Sequence, residues 1–510
     1  MTVQDHLGQD FGSYSDLLRL QATERPGHPA LVLDSETLDY AALDGLADRI
    51  ACGLQRAGLA PGAVVGLCAA TSLRYVATLL GCLRAGLAFA PLSPTLSTAQ
   101  REAMLADAGA ALLFADADLP CGAGGPRRIA LDDDGWLAGA GQPAPVQPQP
   151  GWLFNLIYSS GTTGQPKGIA QPWSMRWAHL QRAAHNGYGL EAVTLSATPL
   201  YSNTTLVSVL PTLALGGTVV LMRKFDAAAY LALAERHRAT HAMLVPVQYQ
   251  RLLDCPDFDR RDLSSFRMKF CTGAPFKAAL KAEVLRRWPG GLVESYGMTE
   301  GGGRCELAAH LHPHKLHTVG RPVEGHDIRV IDDAGTELPQ GASGEIVGHA
   351  PAMMQGYHGM PERTRDAEWF DAGGKRFLRT GDIGRFDADG FLVLGDRKKD
   401  MIISGGFNLY PCDIEAELNQ HPAVAESAVV GVPSRQWGET PVAFAVPRPG
   451  AKAEATSAQA LQQWVNARVG KTQRLADLQW LPSLPRSEIG KVLKRELTRQ
   501  YAEAHPEDTL

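Results

Sequence analysis

The chain has 510 residues, several times the usual domain size, which predicts at least two domains and a core large enough to fold without staples. Its 49 basic and 54 acidic residues leave a net charge of -5 with no long Lys/Arg run, which excludes a basic stripe for nucleic acid. Eight scattered cysteines without a CxxC pair, an acidic and polar start without a signal peptide, and apolar windows that are always interrupted predict a reduced, cytoplasmic protein with no membrane span.

Along the chain, "LDYAALDGLADRIACGLQRAG" (38–58) carries apolar residues at helical spacing, and "AVVGLCA" from Ala63 suits a buried strand. The window from Tyr75, "YVATLLGCLRAGLAFAPL", is broken by Arg84 and two glycines and predicts a buried helix and strand. The helix-then-strand rhythm returns at "TAQREAMLADAGAALLFA", "YLALAERHRATHAMLVP" and "KAALKAEVLRRWPGGLVESYG", so the fold class is α/β, with parallel sheets covered by helices. A Pro/Gly-rich connector from Ala138 precedes the first motif. From Gly325 short strands and turns predict a smaller β-rich subdomain. After "GDRKKD" a compact α+β segment follows, with a helix near Pro411, strands around Val429 and Phe444, and helices around Leu461 to Val469 and after "PRSEIGK".

The loop "NLIYSSGTTGQPKGIAQ" mixes Ser159, Ser160, Gly161, Thr162, Thr163, Gly164 and Lys167. Glycines let backbone N–H groups turn inward, and hydroxyls with one cation add donors, a set suited to a polyphosphate. Pro166 before Lys167 and Gly168 after it depart from the usual P-loop order. Three further constellations are "VESYGMTEGGG" from Val293, "RTGDIGRFDADGFLVLGDRKKDMIISGGFNLYP", and "LPRSEIGKVLKREL". The histidines of "HLHPHKLH" lack an acidic or cysteine companion, and Pro313 breaks any regular face, so no metal set is read there. No Ser/His/Asp set or Cys/His pair stands out for covalent catalysis.

Together the four motifs, in this order and over nearly the whole chain, resemble the adenylate-forming superfamily: acyl-CoA synthetases, adenylation domains of nonribosomal peptide synthetases, and luciferases. The resemblance implies an N-terminal core (1–396, with the β-rich part at about 325–396), a mobile C-terminal domain (397–510) and a nucleotide site between them. It implies that the loop from Ser159 to Lys167 wraps the ATP phosphates, and that Tyr296 and the Gly273-Ala274-Pro275 turn flank adenine, next to Gly297 and Met298. By the same resemblance Thr299 binds a phosphate, Glu300 holds Mg²⁺, Asp382 accepts the ribose hydroxyls, and Arg397 reaches ribose or phosphate. Lys491 matches the lysine that serves adenylation, Lys399 the hinge, and Gly405 and Gly406 the passage for CoA.

Relatives that activate amino acids place an aspartate after "TPL", where this chain has "TPLYSNTTLVSVLP" with no acid, so an ammonium would be buried unpaired. Tyr201 is followed by Ser202 where many acyl-CoA synthetases have histidine. Tyr201, Ser202, Asn203, Thr204, Val245, Pro246 and Gly301, Gly302 and Gly303 are the expected pocket wall, for an uncharged, largely apolar acid, fatty or aryl. The function implied is an AMP-forming acid–CoA ligase using ATP, Mg²⁺, CoA and a small-molecule carboxylic acid. An acyl-AMP ligase that loads a separate acyl carrier protein is the alternative. A luciferase-like oxygenase or an inactive nucleotide-binding protein is the alternative of another class.

Overall fold

The computed structural model describes residues 2–120, 122, 124–137, 141–159, 167–404, 407–435, 437–448, 456–487 and 490–505. They divide into two compact units, one of residues 1–328 and 348–378, the other of residues 329–347 and 379–510.

The first unit is built on two sheets. In one, Val193–Ser196, Thr218–Leu221, Pro29–Leu33, His241–Leu244, Met268–Cys271 and Gly291–Gly297 run parallel, with antiparallel additions at both edges, including Arg304–Ala308 beside Gly291–Gly297. In the other, Val64–Cys68 lies between the parallel strands Ala88–Pro91 and Leu112–Ala115, and Leu153–Ser159 pairs antiparallel with Lys167–Pro172.

The periodic stretches become helices where a side chain caps them. Asp39 accepts from Ala42 N ahead of Tyr40–Arg56, Ser72 from Tyr75 N ahead of Leu73–Arg84, and Ser97 forms a capping box with Gln100 ahead of Thr98–Asp107. The window from Tyr75 ends its helix at Arg84 and passes into the strand Ala88–Pro91. Both are buried, and among the described residues no helix is long and apolar enough to cross a membrane. Leu31, Leu43, Val65, Phe89, Phe154, Trp173 and Leu213 share one core between sheet and helices.

In the second unit Val424–Ser434 and Gly438–Pro447 form a long antiparallel pair, extended by Ile402–Ser404 and Phe407–Leu409 on one side and joined in parallel by Asp477–Trp480. Pro411–Leu418 and Ala458–Asn466 bury Ile414, Leu418, Leu461 and Val465 in one cluster. Lys494–Ala504 buries Leu497 and Tyr501 against Phe444 in another. A hairpin sets Asp382 opposite Arg397.

Candidate active site

In the first unit the segments singled out in the sequence leave the carboxyl ends of neighbouring parallel strands, where open α/β sheets bind ligands. Tyr201 to Thr204 follow Val193–Ser196, Val245 and Pro246 follow His241–Leu244, Gly273 to Pro275 follow Met268–Cys271, and Tyr296 to Gly303 end and follow Gly291–Gly297. Gly273 has φ +88°, open to glycine at little cost, and a Cβ there would stand 3.7 Å from Val245. Gly273 and Pro275 are exposed and Ala274 is half-buried, whereas Val245 and Pro246 are buried. Tyr296 is half-buried and Gly297 exposed, paired in register with Cys305 and Arg304.

The turn that carries Thr299 and Glu300 is fastened from both sides. Gln171, fully buried, donates to the Thr299 carbonyl at 2.6 Å, and the Met354 N–H donates to the Glu300 carbonyl at 2.9 Å. Gly302 and Gly303 are buried, and a Cβ on Gly301, Gly302 or Gly303 would collide with Met175, Leu378 or Ile328 respectively. These three glycines therefore serve the close approach of neighbouring segments, besides any surface they offer a ligand.

Tyr357, which sequence reasoning missed, is central to the turn. Its hydroxyl donates to Glu300 Oε1 at 2.9 Å, and Lys167 Nζ stands 5.0 Å from its ring centroid. Burial, and then the Glu300 carboxylate, push the phenol up, so it stays a donor at neutral pH. Lys167, Tyr357 and Glu300 thus form one group, the tyrosine ring meeting the cation and its hydroxyl the carboxylate. A lone tyrosine in a glycine-flanked loop carries no sequence signal of this.

The donor set suits Mg²⁺. That ion keeps waters and takes one or two carboxylates plus phosphate oxygens, and among the described residues no group of three or more His, Cys, Asp and Glu could hold a metal instead. Tyr357 orients one Glu300 oxygen, so the carboxylate's other oxygen could take a metal ion. Of the histidine run, His310 accepts from Leu292 N at 3.2 Å, a structural engagement.

At the pocket segment, Ser202 stands before the helix Asn203–Ala214 without a side-chain capping bond, and Tyr201 and Thr204 are half-buried. Asn203 Oδ1 accepts from Arg176 Nη2 at 2.8 Å. Arg176 Nε donates in turn to Asn155 Oδ1 at 2.9 Å, and Asn155 donates to Gln171 Oε1 at 3.0 Å. One buried chain of polar groups therefore joins the pocket segment to the Thr299–Glu300 turn.

In the second unit Arg397 Nε lies 3.1 Å from Asp382 Oδ1, and the Asp382 N–H donates to Thr380 Oγ1 at 3.0 Å. Lys491 sits in a short turn closed by Ser487, whose N–H donates to the Lys491 carbonyl at 2.8 Å. Burial, then Arg397 and Lys399, pull the Lys491 ammonium down to about 8, with Asp400 and Asp382 opposing. Lys399 is exposed in the short 3₁₀ turn Lys398–Asp400. Ser160, Gly161, Thr162, Thr163, Gly164, Gly405 and Gly406 lie outside the described residues, and of Ser159 only its backbone pairing with Lys167 is described.

Such a frame suits an enzyme that handles a nucleotide. The chain belongs to the AMP-binding enzyme family, whose model matches residues 18–358, and the family's C-terminal domain matches residues 413–491. It is similar to a feruloyl-CoA synthase of Amycolatopsis, 34% identical over 91% of this chain and 94% of the relative. It is also similar to the fatty acid–[acyl-carrier-protein] ligase ScoC of Streptomyces coeruleorubidus, 32% identical over 94% of this chain and 95% of that protein. Among solved structures, the o-succinylbenzoate CoA synthetase of Bacillus subtilis with its acyl-adenylate matches with a TM-score of 0.81, at 28% identity over 94% of this chain and 97% of that one. The protein is an adenylate-forming acid–CoA ligase that uses ATP with Mg²⁺ and CoA.

Proposed function

We propose that adenylation is carried out at the fastened Thr299–Glu300 turn, on a fatty or aryl carboxylic acid, and that CoA then takes the acyl group. The observation that carries this reading is the Lys167–Tyr357–Glu300 group, a cation and an oriented carboxylate at the carboxyl edge of a parallel sheet. Lys167 and Thr299 bind the polyphosphate, and Glu300, held by Tyr357, provides a place for Mg²⁺, which when bound neutralises phosphate charge. Tyr296 and the Gly273 turn enclose adenine, Asp382 accepts the ribose hydroxyls, and Arg397 steers Asp382 while reaching the nucleotide. Lys491 supplies positive charge when carboxylate meets the α-phosphorus and pyrophosphate leaves, where preorganised cations lower the barrier most.

We further infer a core of residues 1–396 and a mobile domain of residues 397–510 turning about Lys399, with Gly405 and Gly406 beside the pantetheine path. Tyr201, Ser202, Asn203, Thr204, Val245, Pro246 and the glycines 301–303 form the acyl wall, and the half-buried Ser202 takes the place of a bulkier gate. The similarity to ScoC supports a carrier protein as a second acceptor. The absence of a spanning helix among the described residues is compatible with the cytoplasm as the site of action. A screen of pyrophosphate release across fatty, aryl and amino acids, with CoA, with acyl carrier protein and with neither, tests all of this. Release with aryl or fatty acids and thioester with CoA is expected. Release with amino acids alone would refute the substrate class.

A further inference from the structure

The turn Gly273-Ala274-Pro275 is held at both of its ends to the strand that delivers Tyr296. Thr272, directly before Gly273, donates from Oγ1 to the Ser295 carbonyl at 2.9 Å. Phe276, directly after Pro275, donates its backbone N–H to the Glu294 carboxylate. Glu294 and Ser295 are the two residues immediately before Tyr296 in Gly291–Gly297. That strand and Met268–Cys271 are paired in parallel as far as Glu294 and Cys271, and past that point the two ties continue the connection. Gly273, exposed and at φ +88°, gives the turn its path but little stiffness, so its position depends on the residues that bracket it.

Glu294 is 4% exposed, a depth at which a carboxylate needs a partner. The partner is Lys281, on the helix Ala278–Arg287 and 1% exposed, which makes a buried ion pair with it. Lys281 Nζ also donates to the Leu316 carbonyl at 2.8 Å and to the Thr318 carbonyl at 2.9 Å, so its three hydrogens all have acceptors and the ammonium is fixed in place. Burial pushes the Glu294 carboxyl up to about 7, against Lys281 and the Phe276 N–H. Two apolar side chains could fill the same space with no loss of stability. What the ion pair adds is direction, a carboxylate aimed at the Phe276 N–H.

We propose that Thr272 and Glu294, the latter aimed by Lys281, are positioning residues for the nucleotide base, fixing the Gly273–Pro275 turn and Tyr296 at the separation that admits one flat ring. The inference rests on the reading that adenine lies between the turn and Tyr296, and it names what shapes that slot. Stacking on an aromatic face depends on separation, and a slot already set at the right width spends less of the binding energy on ordering.

The test measures equilibrium binding of ATP and of ribose 5′-triphosphate, which lacks the base, to the full chain. The ratio of the two affinities isolates the base. Thr272→Val exchanges a hydroxyl for a methyl at nearly constant shape and should weaken ATP binding about two- to tenfold, the size of one neutral hydrogen bond, with ribose triphosphate binding unchanged. In pyrophosphate exchange the loss should fall on the KM for ATP and not on kcat. Thr272→Ser keeps the hydroxyl and should bind ATP like the wild type. Glu294→Leu combined with Lys281→Met removes the second tie without stranding a buried charge, and should weaken ATP binding about tenfold or more, again with ribose triphosphate unchanged. Thr272→Val, the smaller change, carries the test if the double variant does not fold. ATP affinity that is unchanged in Thr272→Val, or ATP and ribose triphosphate affinities that fall together as a loosened fold would make them, overturns the proposal. Tyr296→Ala separates the inference from its premise, since it should bring ATP down towards the affinity of ribose triphosphate. A Tyr296→Ala variant that binds ATP as tightly as the wild type overturns the adenine reading itself.

Discussion

Lys491 offers the sharpest test of how the site works, because its environment changes its chemistry in a measurable range. Burial and the neighbouring Arg397 and Lys399 bring its ammonium from the usual 10.5 down to about 8. In the role proposed for Lys491 the cation is the form that assists departure of pyrophosphate, so activity is expected below that value and is expected to be lost as pH rises through it. With a value of about 8, about 91% of Lys491 is charged at pH 7 and about 9% at pH 9, a roughly tenfold fall. The assay is pyrophosphate exchange from pH 6 to 10, read as kcat/KM for ATP, which reports the free enzyme. Lys491→Arg keeps a charge that does not titrate in this range, so its profile, at whatever absolute rate, should lose the alkaline limb near 8. Lys491→Ala should lower adenylation by about 100- to 1,000-fold at pH 7, the scale of losing one preorganised stabiliser, while a supplied acyl adenylate is still converted to thioester. A wild-type profile that stays flat up to pH 10, or an alanine variant that loses both half-reactions equally, would refute the reasoning.

Asp382→Ala should raise the KM for ATP about tenfold with kcat little changed, since the ribose contact proposed for it would be made in ground and transition states alike; steady-state kinetics at saturating acid will show it, and a loss confined to kcat would contradict it. Tyr357→Phe removes the hydrogen bond to Glu300 Oε1 and should raise the Mg²⁺ concentration for half-maximal exchange about 10- to 100-fold, the worth of one hydrogen bond to a charged group; an unchanged Mg²⁺ titration would separate Tyr357 from the ion. Lys399→Pro fixes φ at the exposed 3₁₀ turn and restricts Lys398 before it, so adenylation should survive and thioester formation should fall sharply in rapid-quench measurements. Parallel loss of both steps in a folded variant would remove Lys399 as the hinge.

Much of this protein was legible in the residue order because the signals are local. Apolar spacing with a capping side chain at Asp39, Ser72 or Ser97 marks a helix within one turn of its start, whatever the helix later packs against. The α/β rhythm and the four motifs are likewise contiguous, and the Ser159–Lys167 segment, or the strand Gly291–Gly297 with the turn of Thr299 and Glu300 after it, gathers its candidate residues in a few neighbouring positions. Tertiary structure alone decided what those positions touch. Tyr357 meets Glu300 across 57 residues and Gln171 meets the Thr299 carbonyl across 128, and no periodicity in either segment points to the other. Gly301, Gly302 and Gly303 read as pocket surface in the sequence, yet each also makes room for a neighbouring chain segment. Arg176 is the clearest case. Its spacing on the helix Trp173–His185 tells only that a charged residue falls among tryptophans, a pattern equally consistent with an arginine reaching solvent. That it is buried, bonded to two asparagines and left with an unpaired donor follows from strand order, which brings residues 155, 176 and 203 to one place. Sequence periodicity reports which face of an element avoids water. Which side chains that face meets depends on how the sheets are ordered, because contacts between distant segments are made only after the chain has closed the intervening loops.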